Sequence, residues 1–185
     1  FFLRLISKKA VLYTEMISSG AIIHNKNYHS LLYNNEIDSP VALQLGGSDP
    51  EDLAKCIDIV NEYGYDEINL NVGCPSKRVQ KGSFGACLML DPKLITKCLR
   101  SMTEASSTPI SVKCRIGVDE HDDYDFLKSF VEAVAKANVK IIIVHARKAY
   151  LSGLSPRQNR SIPKLKYEVV YKLKEDFPEM EIIIN

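Results

Sequence analysis

Cys74 stands in a run of side chains that could carry chemistry. It follows Asn71, Val72 and Gly73 and precedes Pro75 and Ser76, just after Ile68 and Leu70 alternate with Asn69 and Asn71. That alternation predicts a strand, and the glycine and proline end it, so the thiol is expected at a strand end. Lys77, Arg78 and Lys81 come next, with no acid before Asp91. A cationic neighbourhood favours a thiolate or binds an anion. A free cysteine is otherwise a small buried hydrophobe, and the thiol alone does not choose between the two.

Other candidates present the same pair of alternatives. Lys113 lies in the apolar run Ile110 to Arg115, either as a buried lysine paired with an acid such as Glu15 or as a cation placed for a ligand. Burial alone would lower its pKa. His145 ends the run Ile141 to His145 as a core histidine or a site residue. From His145 to Tyr167 the chain carries Arg147, Lys148, Arg157, Arg160, Lys164 and Lys166 but neither Asp nor Glu. Such a stretch binds phosphates or is a solvated loop. Asp119 to Asp125 is acidic and expected on the same face, bordering any phosphate path without lining it.

Strands alternating with helices must position these groups. Val11 to Met16, Val41 to Leu45, Glu67 to Asn71, Ile110 to Arg115 and Ile141 to His145 read as strands, with Glu181 to Ile184 beginning a sixth. Phe1 to Lys9 reads as a possible helix with Phe2, Leu5 and Ile6 on one side, and Ser18 to Gly20 as a loop. Ser48 and Glu51 predict a capping box for a helix that Gly64 stops. Further helices are expected from Asp91, over Asp123 to Ala137 and near Tyr167 to Glu175; Cys56 and Cys98 pack on helix faces. Parallel pairing through crossovers follows, hence an α/β protein. Gln44, Asn71, Lys113, His145 and Asn185 fall at or beside the ends of five different strands, which a closed barrel gathers at one mouth. No G-x-G-x-x-G fingerprint argues for a dinucleotide-binding open sheet. The expected fold is a partial (β/α)8 TIM barrel.

The segment NVGCPS followed by KGSFGACLM resembles the signature of the flavin-dependent tRNA-dihydrouridine synthases, in their A-type branch. YTEMISSGAIIH, PVALQLGG, SVKCRIG and HARKAYLSGLSPRQNRSIPKL occur in the same order as in that family, so the resemblance runs along the whole chain. It implies that Cys74 donates a proton while uridines of tRNA, expected in the D-loop, are reduced to 5,6-dihydrouridine. It also implies that Gln44, Lys113, His145 and Asn185 bind FMN, that NADPH is the reductant, and that Asn71, Arg157 and Arg160 contact tRNA. Cys114 stands where relatives often have threonine. A complete barrel takes about 250 residues and eight strands, so residues 1–185 are expected to be an incomplete catalytic barrel. By the resemblance they lack the first strand, the last strand and a C-terminal helical tRNA-binding domain, and alone they would be inactive. The alternatives are a small-molecule flavin oxidoreductase of the dihydropyrimidine or dihydroorotate dehydrogenase type, and a tRNA-binding module without catalysis.

Composition sets the frame. The 185 residues are 45% hydrophobic and 25% charged with a net charge of +1, as in a soluble globular chain whose nucleic-acid contacts would come from local basic clusters. Five cysteines without a Cys-x-x-Cys pair argue against a disulfide framework or metal site. No run reaches transmembrane length, and the expected location is the cytoplasm, with an organelle as the alternative.

Overall fold

The computed structural model describes residues 2–34 and 36–185. Helix α1 (Phe2–Ile6) leads to two short strands, β1 (Leu12–Tyr13) and β2 (Ile17–Ser18), and two short helices, α2 (Ser19–Ile23) and α3 (Tyr28–Leu32). Longer units follow: β3 (Val41–Gly46), α4 (Pro50–Val60), β4 (Glu67–Val72), α5 (Lys77–Lys81), α6 (Pro92–Ala105) and β5 (Ile110–Arg115). The chain continues through α7 (Tyr124–Lys136), β6 (Ile141–His145), α8 (Tyr167–Asp176) and β7 (Glu181–Ile184).

All pairings among these strands are parallel, in the order β1-β3-β4-β5-β6-β7, with β2 further along β3. Spatial order follows chain order with no reversal, as in a barrel and unlike a doubly wound sheet with its switch point. Paired residues share a face, and faces alternate along a strand. The pairings Gln44 with Asn69, Asn69 with Ser111, Asn71 with Lys113 and Arg115 with His145 therefore put all seven on one face. The other face carries Leu43, Leu45, Ile68, Leu70, Val112, Ile142 and Val144, all fully buried in one core with the inward residues of α4, α6 and α7. A parallel sheet with helices on one side and polar groups on the other is an arc of a TIM barrel, the expected fold class.

Local differences from expectation have local causes. Val11 to Met16 is not one strand, because Gln44 donates its backbone N–H to the Thr14 hydroxyl at 3.0 Å. A side chain thereby replaces a carbonyl in the ladder and separates β1 from β2. The Ser18 to Gly20 stretch is not a loop: Ser18 accepts the N–H of Ala21 and opens α2. In α1 it is Arg4 that is buried, its guanidinium donating to the carbonyls of Ser7, Ala10, Asp38 and Pro40, while Phe2, Leu5 and Ile6 are exposed. The cap of α4 is Asp49, which accepts from the N–H groups of Glu51 and Asp52; Ser48 instead donates to the Gly82 carbonyl. A carboxylate taking two N–H groups at a helix start is a better acceptor than a hydroxyl.

Candidate active site

The cysteine turn is built by the end of β4. Asn71 Oδ1 accepts the backbone N–H groups of Gly73 at 3.1 Å and Cys74 at 2.9 Å, an Asx turn that bends the chain over the strand end. The Cys74 carbonyl then accepts from Ala86 at 3.0 Å. This approach requires Gly85, whose φ is +74° and where an added Cβ would lie 2.5 Å from the Cys74 oxygen. Cys74 Sγ sits 3.5 Å from Ser76 Oγ, and Ser76 caps α5 by accepting from Val79. The pattern after the strand end predicts no element here, and Lys77–Lys81 forms a short helix.

Around the half-buried thiol lies a cleft of about 290 Å³ lined by Asn71, Gly73, Cys74, Pro75, Lys113, Cys114, Arg115, His145, Pro156, Arg160 and Asn185. It gathers the ends of β4, β5, β6 and β7. Of the sequence candidates, Cys74, Asn71, Lys113, His145, Asn185 and Arg160 line it. Gln44 stands one hydrogen bond away, its Oε1 accepting from Asn71 Nδ2 at 2.8 Å. Arg157 is exposed and outside the lining. Lys77, Arg78 and Lys81, the cations expected beside the thiol, are exposed on α5 and do not line this cleft.

Among the described residues no Asp or Glu lines the cleft. Lys113 Nζ donates to Asn185 Oδ1 at 2.6 Å, and among the described residues it has no ion pair with Glu15 or any other acid; burial lowers its pKa. Arg115 is 4% exposed and donates to the carbonyls of Gly73, Lys148 and Asn159, with burial pulling it down to about 10. Burial first, and then the charges of Arg115, Lys113, Arg147 and Arg160, push His145 down to about 4. Its imidazole is therefore neutral at neutral pH. The site offers cations, amides and a neutral imidazole, a set suited to an electron-rich planar ring or an anion.

The loop after β6 closes one side. Fully buried Asn159 holds it, accepting from the Tyr150 N–H and donating to the carbonyls of Tyr150, Leu154 and Ser155. Arg147 donates to the Ser161 and Pro163 carbonyls. Asp122, in the acidic segment, pairs with Lys148 at 3.1 Å and Lys166 at 3.7 Å, and the Lys148 hydrogen bond lowers its pKa. The side chains of Arg157, Arg160 and Lys164 have no hydrogen bond or ion pair among the described residues. Arg115 and Asn159 were missed as site residues. Period two from Lys113 was the available signal for Arg115, whereas nothing in the sequence marks Asn159.

Among the described residues no group of three or more His, Cys, Asp or Glu is placed to hold a metal ion, and no helix is long and apolar enough to cross a membrane. The chain is 55% identical over its whole length to a tRNA-dihydrouridine(20/20a) synthase of Vibrio parahaemolyticus serotype O3:K6, covering 56% of that protein. It is 55% identical to the protein of the same name from Yersinia pestis and 54% to that of Escherichia coli K12, again over all of this chain and covering 53% of each. The chain thus spans about half the length of the curated relatives it matches. The family model described as dihydrouridine synthase matches residues 1–185. With every residue matched and the signature cysteine at the mouth of a barrel arc, this chain belongs to the dihydrouridine synthase family.

Proposed function

We propose that residues 1–185 form part of the catalytic barrel of a flavin-dependent tRNA-dihydrouridine synthase, the rest of the barrel and a helical tRNA-binding domain being supplied by the remainder of the protein. The substrate is tRNA, reduced at the uridines 20 and 20a that the relatives' names carry. One observation carries the reading: a thiol, an ammonium and a neutral imidazole from separate strand ends meet in one cleft with no Asp or Glu among the described residues that line it.

Saturating the C5=C6 bond of uracil takes a hydride at one carbon and a proton at its neighbour. FMN, when bound, supplies the hydride, and NADPH restores it. Cys74 gives the proton, from a turn that Asn71 holds against the strand end. A general acid must keep its proton until the hydride arrives and must reach the accepting carbon. Lys113, with only a neutral amide oxygen for a partner, suits the electron-rich reduced ring, beside Gln44, His145 and Asn185. Arg160 at the cleft rim and Arg157 beyond it meet tRNA phosphates.

The test is single-turnover re-oxidation of NADPH-reduced full-length protein, followed in the flavin absorption band. Re-oxidation by tRNA with formation of dihydrouridine is expected. Re-oxidation by a free pyrimidine but not by tRNA would replace this reading with the small-molecule oxidoreductase. No flavin band in the purified full-length protein would leave only a tRNA-binding module.

A further inference from the structure

The Asn71 amide that holds the cysteine turn is the end of a longer chain of hydrogen bonds on the polar face of the sheet. Its far end is Glu67, the first residue of β4, whose Oε1 accepts from the Ser111 hydroxyl and, at 2.9 Å, from the Tyr13 hydroxyl. Ser111 Oγ accepts from Asn69 Nδ2 at 2.7 Å, and Asn69 Oδ1 from Gln44 Nε2 at 2.9 Å. Gln44 Oε1 accepts from Asn71 Nδ2, and Asn71 Oδ1 from the backbone of Gly73 and Cys74. Three strands contribute, and the chain spans the length of β4 from the bottom of the sheet to the thiol.

Such a chain has a direction. A carboxylate only accepts, so Ser111 spends its hydrogen on Glu67 and faces Asn69 as an acceptor. Asn69 must then turn its NH₂ to Ser111 and its oxygen to Gln44, and Gln44 its oxygen to Asn71. The last oxygen meets two backbone N–H groups, which only donate. Both ends therefore demand the same polarity, and an amide turned the other way sets donor against donor. Asn69 and Ser111 are fully buried, so water is not at hand to repair a mismatch.

We propose that Glu67, acting through Ser111 and Asn69, fixes the orientation of the Gln44 and Asn71 amides, making these three residues positioning residues for the cofactor contact and the cysteine turn. The functional part rests on the reading given above, in which Gln44 meets FMN and Cys74 gives the proton. The positional part concerns this chain's own bonds and is measured separately.

The experiment uses full-length FMN-loaded protein in four variants. Ser111→Ala and Glu67→Leu each remove the anchored end. Glu67→Gln keeps a carbonyl that accepts both hydroxyls. Val112→Ala opens a cavity on the opposite, apolar face of the same strand and serves as a matched loss of stability. The readouts are the alkylation rate of Cys74 by iodoacetamide, measured on its own peptide, and amide hydrogen exchange over Asn71 to Ser76; Cys56, Cys98 and Cys114 are buried, and the half-buried Cys87 is scored on a separate peptide. Ser111→Ala and Glu67→Leu should speed both by about tenfold, the equivalent of one hydrogen bond. Glu67→Gln should stay within about twofold of wild type, and Val112→Ala should lose stability without moving either readout. The proposal is overturned if Ser111→Ala and Glu67→Leu match Val112→Ala at the site, because the chain then only stabilises the sheet. It is equally overturned if Glu67→Gln behaves as Glu67→Leu, because charge and not acceptor direction is then at work. Dihydrouridine formation in the same variants should fall as the site readouts rise. A wild-type protein that reduces no tRNA refutes the proposed function and leaves the positional claim to be decided by alkylation and exchange.

Discussion

Lys148 and Lys166, at the two ends of the loop after β6, share the carboxylate of Asp122. Lys113 and Arg115, at the end of β5, meet only neutral oxygens: an amide for one and three carbonyls for the other. The first pair shapes a loop, and its charge is largely spent. The second keeps its charge in a partly enclosed place, at a desolvation cost that no acid offsets. A fold retains such cations where a ligand provides the missing electron density, and the pKa values of Lys113 and Arg115, both lowered by burial, record that cost. Arg157, Arg160 and Lys164 make a third set, whose side chains have no hydrogen bond or ion pair among the described residues.

The sharpest way to test this division is to remove the group that the unpaired cations surround. Cys74→Ala in the full-length protein should leave FMN and tRNA binding nearly intact and lower dihydrouridine formation by roughly a hundredfold or more. Single-turnover product analysis measures it, and near-normal product would end the proton-donor role. Next is Lys113→Met, which takes out an unpaired cation. FMN dissociation should rise by about tenfold and the bound flavin's reduction potential should fall; equal values for both forms would make the lysine structural.

Replacing Arg157 and Arg160 together by Ala should weaken tRNA binding and flatten its dependence on salt by about one unit of slope per lost phosphate contact. Titrations at several salt concentrations give that slope, and NADPH oxidation should hardly change. Asp122→Asn acts on the paired set. Its ion pairs are partly exposed and open to solvent screening, so the stability loss should stay below about 1 kcal/mol by denaturant titration, with FMN affinity unchanged.

The smallest effect concerns His145. Its folded pKa of about 4 lies below the ordinary 6.5, so between those values the unfolded chain takes up a proton that the folded chain refuses. The contribution is fully present above pH 6.5 and is lost as pH falls toward 4. His145→Gln should therefore show a shallower fall of stability across that window than the wild type, by denaturation at several pH values.

The strands of the arc could be read from the sequence because Ile68, Leu70 and Val112 alternate with polar residues and bury one face, while Ile142 belongs to the continuous apolar run of a buried strand. Their shared ends named Cys74, Lys113 and His145 as neighbours before any contact was known. Arg115 was not legible as a site residue, because only the carbonyls of two distant loops make its buried position tolerable. The cap of α4 is Asp49 and not the expected Ser48, whose hydroxyl is taken by the Gly82 carbonyl, some thirty residues on. The start of the chain is helical, as expected over Phe1 to Lys9, but its buried residue could not be read, because Arg4 finds four carbonyls that only the folded chain brings together. Pattern reading recovers what periodicity encodes and fails where one polar side chain serves several remote backbone groups.

Arg115 has one more consequence. Its guanidinium holds the Gly73 carbonyl of the cysteine turn together with the Lys148 and Asn159 carbonyls of the basic loop, and Gln80 repeats the bridge by donating to the Pro75 and Leu151 carbonyls. The turn that carries the thiol and the loop that would meet the nucleic acid are thus riveted into one mechanical body. Turn and loop therefore hold one relative position, fixed from the end of β5 by Arg115 and, without an intervening strand, by Gln80.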